Sequence, residues 1–185
     1  MVTTMIENTS LPDCKLITPN VHKDNRGYFL ETFRQNDYLK ILNFNLVQIN
    51  ESFSYYGVIR GLHAQIEPFA QTKIIQVLSG KILDAVVDIR PNSITFGKTM
   101  TILMNERQKQ QLLIPEGFLH GYAVLSECAT IQYYVNAPYS PSHEIGVRYD
   151  DPQLNINWMI LPSERHVSDK DLALPTYQQL ISQIT

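Results

Sequence analysis

Apolar residues along this chain come in short alternating or continuous runs rich in Val, Ile, Thr, Tyr and Phe, with Gly, Pro, Asn and Asp clustered between them. Runs of that length and make-up predict strands rather than helices. In "KIIQVLSGKILDAVVDIR", Lys73 to Leu78 and Lys81 to Ile89 flank Ser79-Gly80, which reads as the turn of a β-hairpin. Further strands are expected at Leu46 to Phe53, Val58 to Gln65, Lys98 to Leu103, Gln111 to Ile114, Tyr122 to Leu125, Thr130 to Val135 and Glu144 to Tyr149. Their spacing predicts a mainly β chain folded as a double-sheet sandwich or jelly roll. Two segments read as short peripheral helices. Gln35 to Leu42 has Asn36 as its expected N-cap, and "SDKDLALPTYQQLISQI" opens on Ser168, with Asp171 three residues on in a capping-box position and Pro175 interrupting it.

A length of 185 residues predicts one domain over 1–185, with an N-terminal strand arm and a C-terminal helical segment. The formal net charge of −3 gives no electrostatic reason to expect nucleic acid or an anionic membrane as partner, so any basic residue that binds an anion must act locally. Cys14 and Cys128 match no zinc spacing and cannot form a disulfide framework, which suits a reducing cytoplasm. "MVTTMIENTSLPDC" lacks the basic and apolar regions of a signal peptide, and no window has the apolar length of a membrane span. A soluble, unprocessed, cytoplasmic protein is expected.

Chemistry enters at "GVIRGLHAQ", residues 57–65, which puts His63 in a run that otherwise reads as buried strand. His63 follows Gly57 after five residues, and "PEGFLH" ends on His120; both stretches resemble the metal motifs of the cupin scaffold. The ligand set is broken, because Gln65 stands where a second His would be, and Phe69 and Ala70 where Glu would be. Two imidazoles without further donors suit a metal poorly, so no metal is expected. Arg60 and His63 also have opposite parity in a regular strand, so a pocket shared by both requires a β-bulge at Gly61.

The ordered series "DNRGYFLETF", "VQINESFSYYGVIRGLHAQ", "QTKIIQVLSGKILDAVVDIRPNSITFG", "LLIPEGFLHGYAVLSE", "YYVNAPYSPSHE" and "VSDKD" resembles the dTDP-4-dehydrorhamnose 3,5-epimerase family over nearly the whole chain. The resemblance implies a cupin-like double-stranded β-helix, usually dimeric, that works without cofactor on nucleotide-linked 4-keto-6-deoxy sugars. Hydrogens on C3 and C5 flank the C4 carbonyl and are acidic, so a base removes one to leave an enolate and an acid reprotonates the opposite face. By resemblance His63 is the base, Asp171 orients it and Tyr133 is the acid, with Lys73 and His120 near the sugar. Arg60 and Lys170 match diphosphate or nucleotide contacts, Gln48 and Asn50 offer amides, and Tyr139 matches a ring stacked on the base. Arg26, Phe29 and Glu31 match contacts supplied partly by the neighbouring subunit of a homodimer, and Glu144 matches a further binding position.

Each residue also has a plainer reading. His63 could be a hydrogen-bonded scaffold residue, Asp171 a helix residue paired with Ser168, and Arg26, Arg60 and Lys73 solvated charges. Tyr133 is one of ten tyrosines, with Tyr134 as its rival should the register slip by one. His22, His143 and His166 receive no role. Ala64 stands where the family has an aromatic beside the base, and "RYDD" replaces Trp-Asn-Asp. These departures touch the pocket wall and the substrate, leaving open inversion at C3 only or C5 only, ketoisomerisation, or a CDP-linked substrate. A cupin-like module that binds sugar without chemistry is the non-enzymatic alternative.

Overall fold

A computed structural model describes residues 5–184. Residues 1–4 and 185, within the span assigned to the domain, lie outside the described residues. The chain runs through β1 (Met5–Asn8), β2 (Lys15–Thr18), β3 (Val21–Asp24), β4 (Gly27–Leu30), α1 (Gln35–Leu42), β5 (Gln48–Tyr55), β6 (Ile59–Gln65), β7 (Lys73–Ser79) and β8 (Lys81–Asp88). It continues through β9 (Thr99–Asn105), β10 (Gln111–Ile114), β11 (Phe118–Val124), β12 (Cys128–Val135), β13 (Glu144–Gly146), α2 (Asp169–Leu172) and α3 (Tyr177–Ile184). One sheet has the order β1-β2-β10-β7-β12-β5, the second β13-β6-β11-β8-β9, and β3 with β4 forms a separate ribbon. This is the mainly β, cupin-like jelly roll expected from the strand pattern.

The expected hairpin at Ser79-Gly80 is not formed. β7 pairs with β10 and β12, whereas β8 pairs with β9 and β11 in the other sheet. Gly80, at φ 83°, turns the corner between sheets, and a Cβ there would lie 2.1 Å from the Cys128 carbonyl oxygen. Both strands are nearly continuous apolar runs because each is covered on two faces, which a hairpin with one wet face would not need. On β8, Ile82 and Val86 face the core between the sheets; Leu83, Ala85 and Val87 face outward beneath Trp158, Tyr177 and Leu180 of the C-terminal segment.

Other boundaries move for local reasons. β11 begins at Phe118 rather than Tyr122, so His120 sits inside a strand. β13 stops at Gly146; Val147 still exchanges backbone hydrogen bonds with Leu62, but Arg148 N–H turns to the Pro175 carbonyl. Asn36 does not cap α1: the N-cap is Arg34, and Asn36 lies within the helix. Gln35 fastens this end instead, donating to the Phe44 carbonyl and accepting from Leu46 N–H. At the C-terminus Pro175 separates α2 from α3 as expected. Among the described residues no helix is long and apolar enough to cross a membrane.

Candidate active site

The site lies between the two sheets. His63 on β6 and His120 on β11 are cross-strand neighbours, whereas the next matched pair is Arg60 with Tyr122: three steps along β6 against two along β11. That irregularity is the bulge required for Arg60 and His63 to share a face. Gly61 carries it at φ 102°, where a Cβ would lie 2.6 Å from the His120 carbonyl oxygen, so no side chain fits. Arg60 and His63 thereby line the same cavity of 310 Å³, together with Lys73, His120, Tyr122, Tyr133, Glu144, Lys170 and Asp171.

The Ser168 hydroxyl caps α2 by accepting from the Asp171 N–H at 3.2 Å. The cap uses the backbone of Asp171 and leaves its carboxylate free, so the helix role and the site role coexist. That carboxylate accepts from Gly61 N–H at 3.1 Å and lies 2.8 Å from His63 Nε2. Facing an ionised carboxylate, Nε2 carries the proton, and Nδ1 keeps the lone pair. Burial pushes the Asp171 carboxyl up, but the hydrogen bond and charge of His63, with Gly61 N–H and Lys170, outweigh it and hold the group below its usual range.

A second imidazole–carboxylate pair lies deeper. His120 Nε2 is 2.9 Å from Asp84 Oδ2, and both side chains are buried. Burial lowers the Lys73 ammonium to about 8, with the charges of Glu144 and Asp84 opposing the shift. Such a lysine is a cation at neutral pH and titrates just above it.

Tyr133 enters from the opposite sheet, on β12. Its ring meets the edge of His120 at 6.4 Å between centroids, and its hydroxyl is 3.2 Å from Ser52 Oγ. Tyr134 points the other way, into a cluster with Phe33, Tyr38 and Phe44, which removes it as the rival. Burial raises the Tyr133 phenol well above its usual value, as does neighbouring Tyr122, while the Ser52 hydrogen bond pulls against them.

Around the mouth, Lys170 is paired with Glu144, and the Tyr139 hydroxyl donates to Glu144 at 3.4 Å. Gln48 accepts from the Tyr139 N–H and donates to Asn50, so these three form the rim rather than the lining. Arg26, Phe29 and Glu31 are not brought to the cavity within this chain. Arg26 pairs with Asp24 and Glu31 with Arg34, and Phe29 is 71% exposed on the β3–β4 ribbon.

Ala64 requires a correction. It does not wall the pocket, because strand alternation turns it away from His63 into the outer cluster with Leu62 and Val147. The space beside it belongs to a separate surface cleft of 510 Å³, lined also by Ile145 and Ile184. Gln65, at the lost second-His position, is a structural tie: it donates to the Phe69 and Pro138 carbonyls and accepts from the Ser140 N–H. Sequence reasoning missed Asp84, Tyr122, Ser52 and Ser54. The alternation of Gln48, Asn50, Ser52 and Ser54 along one face of β5 was the signal for the two serines.

A jelly roll that aims an imidazole–carboxylate pair and a phenol into one cavity from opposite sheets defines a cupin-type barrel equipped for acid–base chemistry. More narrowly, the chain belongs to the dTDP-4-dehydrorhamnose 3,5-epimerase family, whose model matches residues 8–179. It is 40% identical to the dTDP-4-dehydrorhamnose 3,5-epimerase of Sinorhizobium fredii, across 94% of this chain and 90% of the relative. The crystal structure of dTDP-6-deoxy-D-glucose-3,5-epimerase from Legionella pneumophila, in complex with dTDP-4-keto-L-rhamnose, superposes with a TM-score of 0.92. It is 36% identical, with 98% of this chain and 97% of that one covered. A 3'-monoepimerase from Streptomyces bikiniensis in complex with dTDP-quinovose is also similar, at TM-score 0.84 and 29% identity over 93% of this chain and 89% of that one.

Proposed function

We propose that this protein epimerises a dTDP-linked 4-keto-6-deoxy hexose at C3 and C5 by proton abstraction and reprotonation through an enolate. The observation that carries the reading is the placement of His63, tied to Asp171, across one cavity from Tyr133. His63 Nδ1 takes the proton from carbon, and the Asp171 carboxylate stabilises the imidazolium. The electron pair moves onto the C4 oxygen, where the Lys73 ammonium supplies positive potential, with the His120 ring, held by Asp84, beside it. Tyr133 delivers a proton to the other face and inverts the centre. Arg60 and Lys170 receive the diphosphate, Glu144 positions Lys170, and Gln48, Asn50 and Tyr139 hold the nucleotide at the rim.

Incubation in deuterated water with a panel of dTDP- and CDP-linked 4-keto sugars tests this directly. Deuterium is expected at both C3 and C5 of dTDP-4-keto-6-deoxyglucose. Exchange at one centre would restrict the reading to a monoepimerase, a preference for the CDP-linked sugar would reassign the nucleotide, and no exchange with any sugar would overturn it. Lys73 is the ammonium below its value of about 8, so the inversion rate is expected to fall as pH rises through 8.

We also propose a cytoplasmic homodimer whose sites are completed across the interface. β5 is a sheet edge that exposes Ile49, Phe53 and Tyr55, and the β3–β4 ribbon offers Phe29 and Tyr28; exposed apolar edges of this kind are covered by a partner. Arg26, Phe29 and Glu31 then reach the neighbouring cavity. Mixing Arg26→Ala with His63→Ala protein, after dissociation and reassociation, is expected to restore activity at low substrate, because mixed dimers contain one intact site. Mixtures no more active than their components would exclude the shared site. The free Cys14 and Cys128 suit a reducing compartment.

A further inference from the structure

From Tyr133 a line of hydroxyl groups runs along the cavity wall to Arg60. Tyr133 Oη is 3.2 Å from Ser52 Oγ, Ser52 Oγ is 3.1 Å from Tyr122 Oη, and Tyr122 Oη is 3.3 Å from Ser54 Oγ. The line ends on Arg60, whose Nε donates to Ser54 Oγ at 3.1 Å. Tyr122 and Ser54 are buried.

A hydroxyl has one hydrogen to donate, and a guanidinium only donates. Arg60 therefore fixes Ser54 as an acceptor, and the Ser52 hydrogen bond, which pulls the Tyr133 phenol down, marks Ser52 as the donor at the other end; the order that joins these two ends passes one hydrogen along each link. Ser54 accepts from Arg60 and gives its hydrogen to Tyr122, Tyr122 gives to Ser52, and Ser52 gives to Tyr133. In that order Tyr133 is the acceptor at the end, and the line does not use its own hydrogen.

We infer that Ser52, Tyr122 and Ser54 are positioning residues that form a one-way hydrogen-bond chain, anchored on Arg60, which reserves the Tyr133 proton for the enolate and stabilises the phenolate it leaves. The inference rests on Tyr133 being the acid. In the step, the Tyr133 O–H bond breaks and a C–H bond forms, with the O–H electron pair remaining on the phenol oxygen. The Ser52 O–H then becomes a charge-assisted hydrogen bond to that oxygen, and water restores the proton when product leaves. Bonds in such a line polarise one another, so the guanidinium acts on Tyr133 without touching it. Arg60 Nη2 also donates to the Phe53 carbonyl at 3.5 Å, and the other N–H groups of the guanidinium serve an anion at the cavity mouth, so one side chain serves both ends of the substrate.

The ratio of inverted product to total solvent-deuterium incorporation at C3 and C5 isolates reprotonation from abstraction. Ser52→Ala is expected to lower that ratio by about tenfold or more, as for loss of a hydrogen bond to a charged group, and Ser52→Thr to retain it. Ser54→Ala does not touch Tyr133, yet is expected to lower the ratio roughly threefold through the chain. In the double variant, Ser54→Ala is expected to add nothing, because the link it acts through is gone. Multiplying effects in the double variant, an unchanged ratio in Ser52→Ala, or a lowered one in Ser52→Thr would overturn the chain. A Tyr133→Phe control separates the two ideas. Loss of inversion there with normal inversion in Ser52→Ala removes only the chain, whereas normal inversion in Tyr133→Phe removes the acid assignment and the chain together.

Discussion

His63→Ala is expected to abolish both deuterium incorporation and inversion, lowering each by about 10²- to 10⁴-fold, the usual contribution of a positioned general base. The other nitrogen bases of the cavity are engaged, and Glu144 is paired with Lys170. His120 is held against Asp84 in the deeper pair, and Lys73 is protonated at neutral pH. Deuterium incorporation near the wild-type rate would sink the assignment of His63 as base. The variant should remain folded, because the His63 side chain is 23% exposed to an open cavity and leaves no dry void. Its cost in stability carries a pH signature. The Asp171 carboxyl is held below its usual value, so its contribution is present above the unfolded pKa of about 4 and is lost as pH falls through the folded value. His63 supplies part of that depression, so the difference in melting temperature between wild type and His63→Ala should hold above a pH of about 4 and shrink as pH falls through the folded value of Asp171.

What the chain's pattern could convey depended on whether the deciding interaction was local. Strand positions were legible because apolar alternation is local, and Pro175 marked the break between α2 and α3 because it removes a backbone donor. Which strands pair was not legible. "KIIQVLSGKILDAVVDIR" has the look of a hairpin, yet Gly80 sends its halves to different sheets, and only the Cys128 carbonyl packed against Gly80 shows why. Parity worked in both directions. It required a bulge at Gly61 for Arg60 and His63 to meet, and β6 has one; applied to Ala64, the same alternation would have turned that residue away from the substrate. Asn36 was chosen as a cap by residue type alone, whereas Gln35 ties the helix end by reaching to Phe44 and Leu46. The pairing of Asp171 with His63, separated by 108 residues, and the line from Tyr133 to Arg60 are long-range contacts that no spacing rule could have found.

Tyr133→Phe is expected to separate the two halves of the reaction. The base and its carboxylate are untouched, so a proton still leaves carbon, exchanges with solvent on the imidazolium and returns from the same face. Deuterium should therefore enter with retained configuration, while inverted product falls by about 10²- to 10⁴-fold. The substitution keeps the ring against His120 and deletes only the hydroxyl. Ser52, half-buried on an edge strand, can turn its hydroxyl to water, so a large loss of stability is not expected. Inverted product at the wild-type rate would assign the acid to another group. The phenol's raised pKa also fixes what the pH profile reports: Tyr133 stays protonated throughout the range in which Lys73 loses its charge. An alkaline limb near pH 8 therefore belongs to enolate stabilisation by Lys73, not to supply of the proton. Because that limb acts before reprotonation, it should persist in the deuterium-incorporation rate of Tyr133→Phe, where inversion no longer contributes.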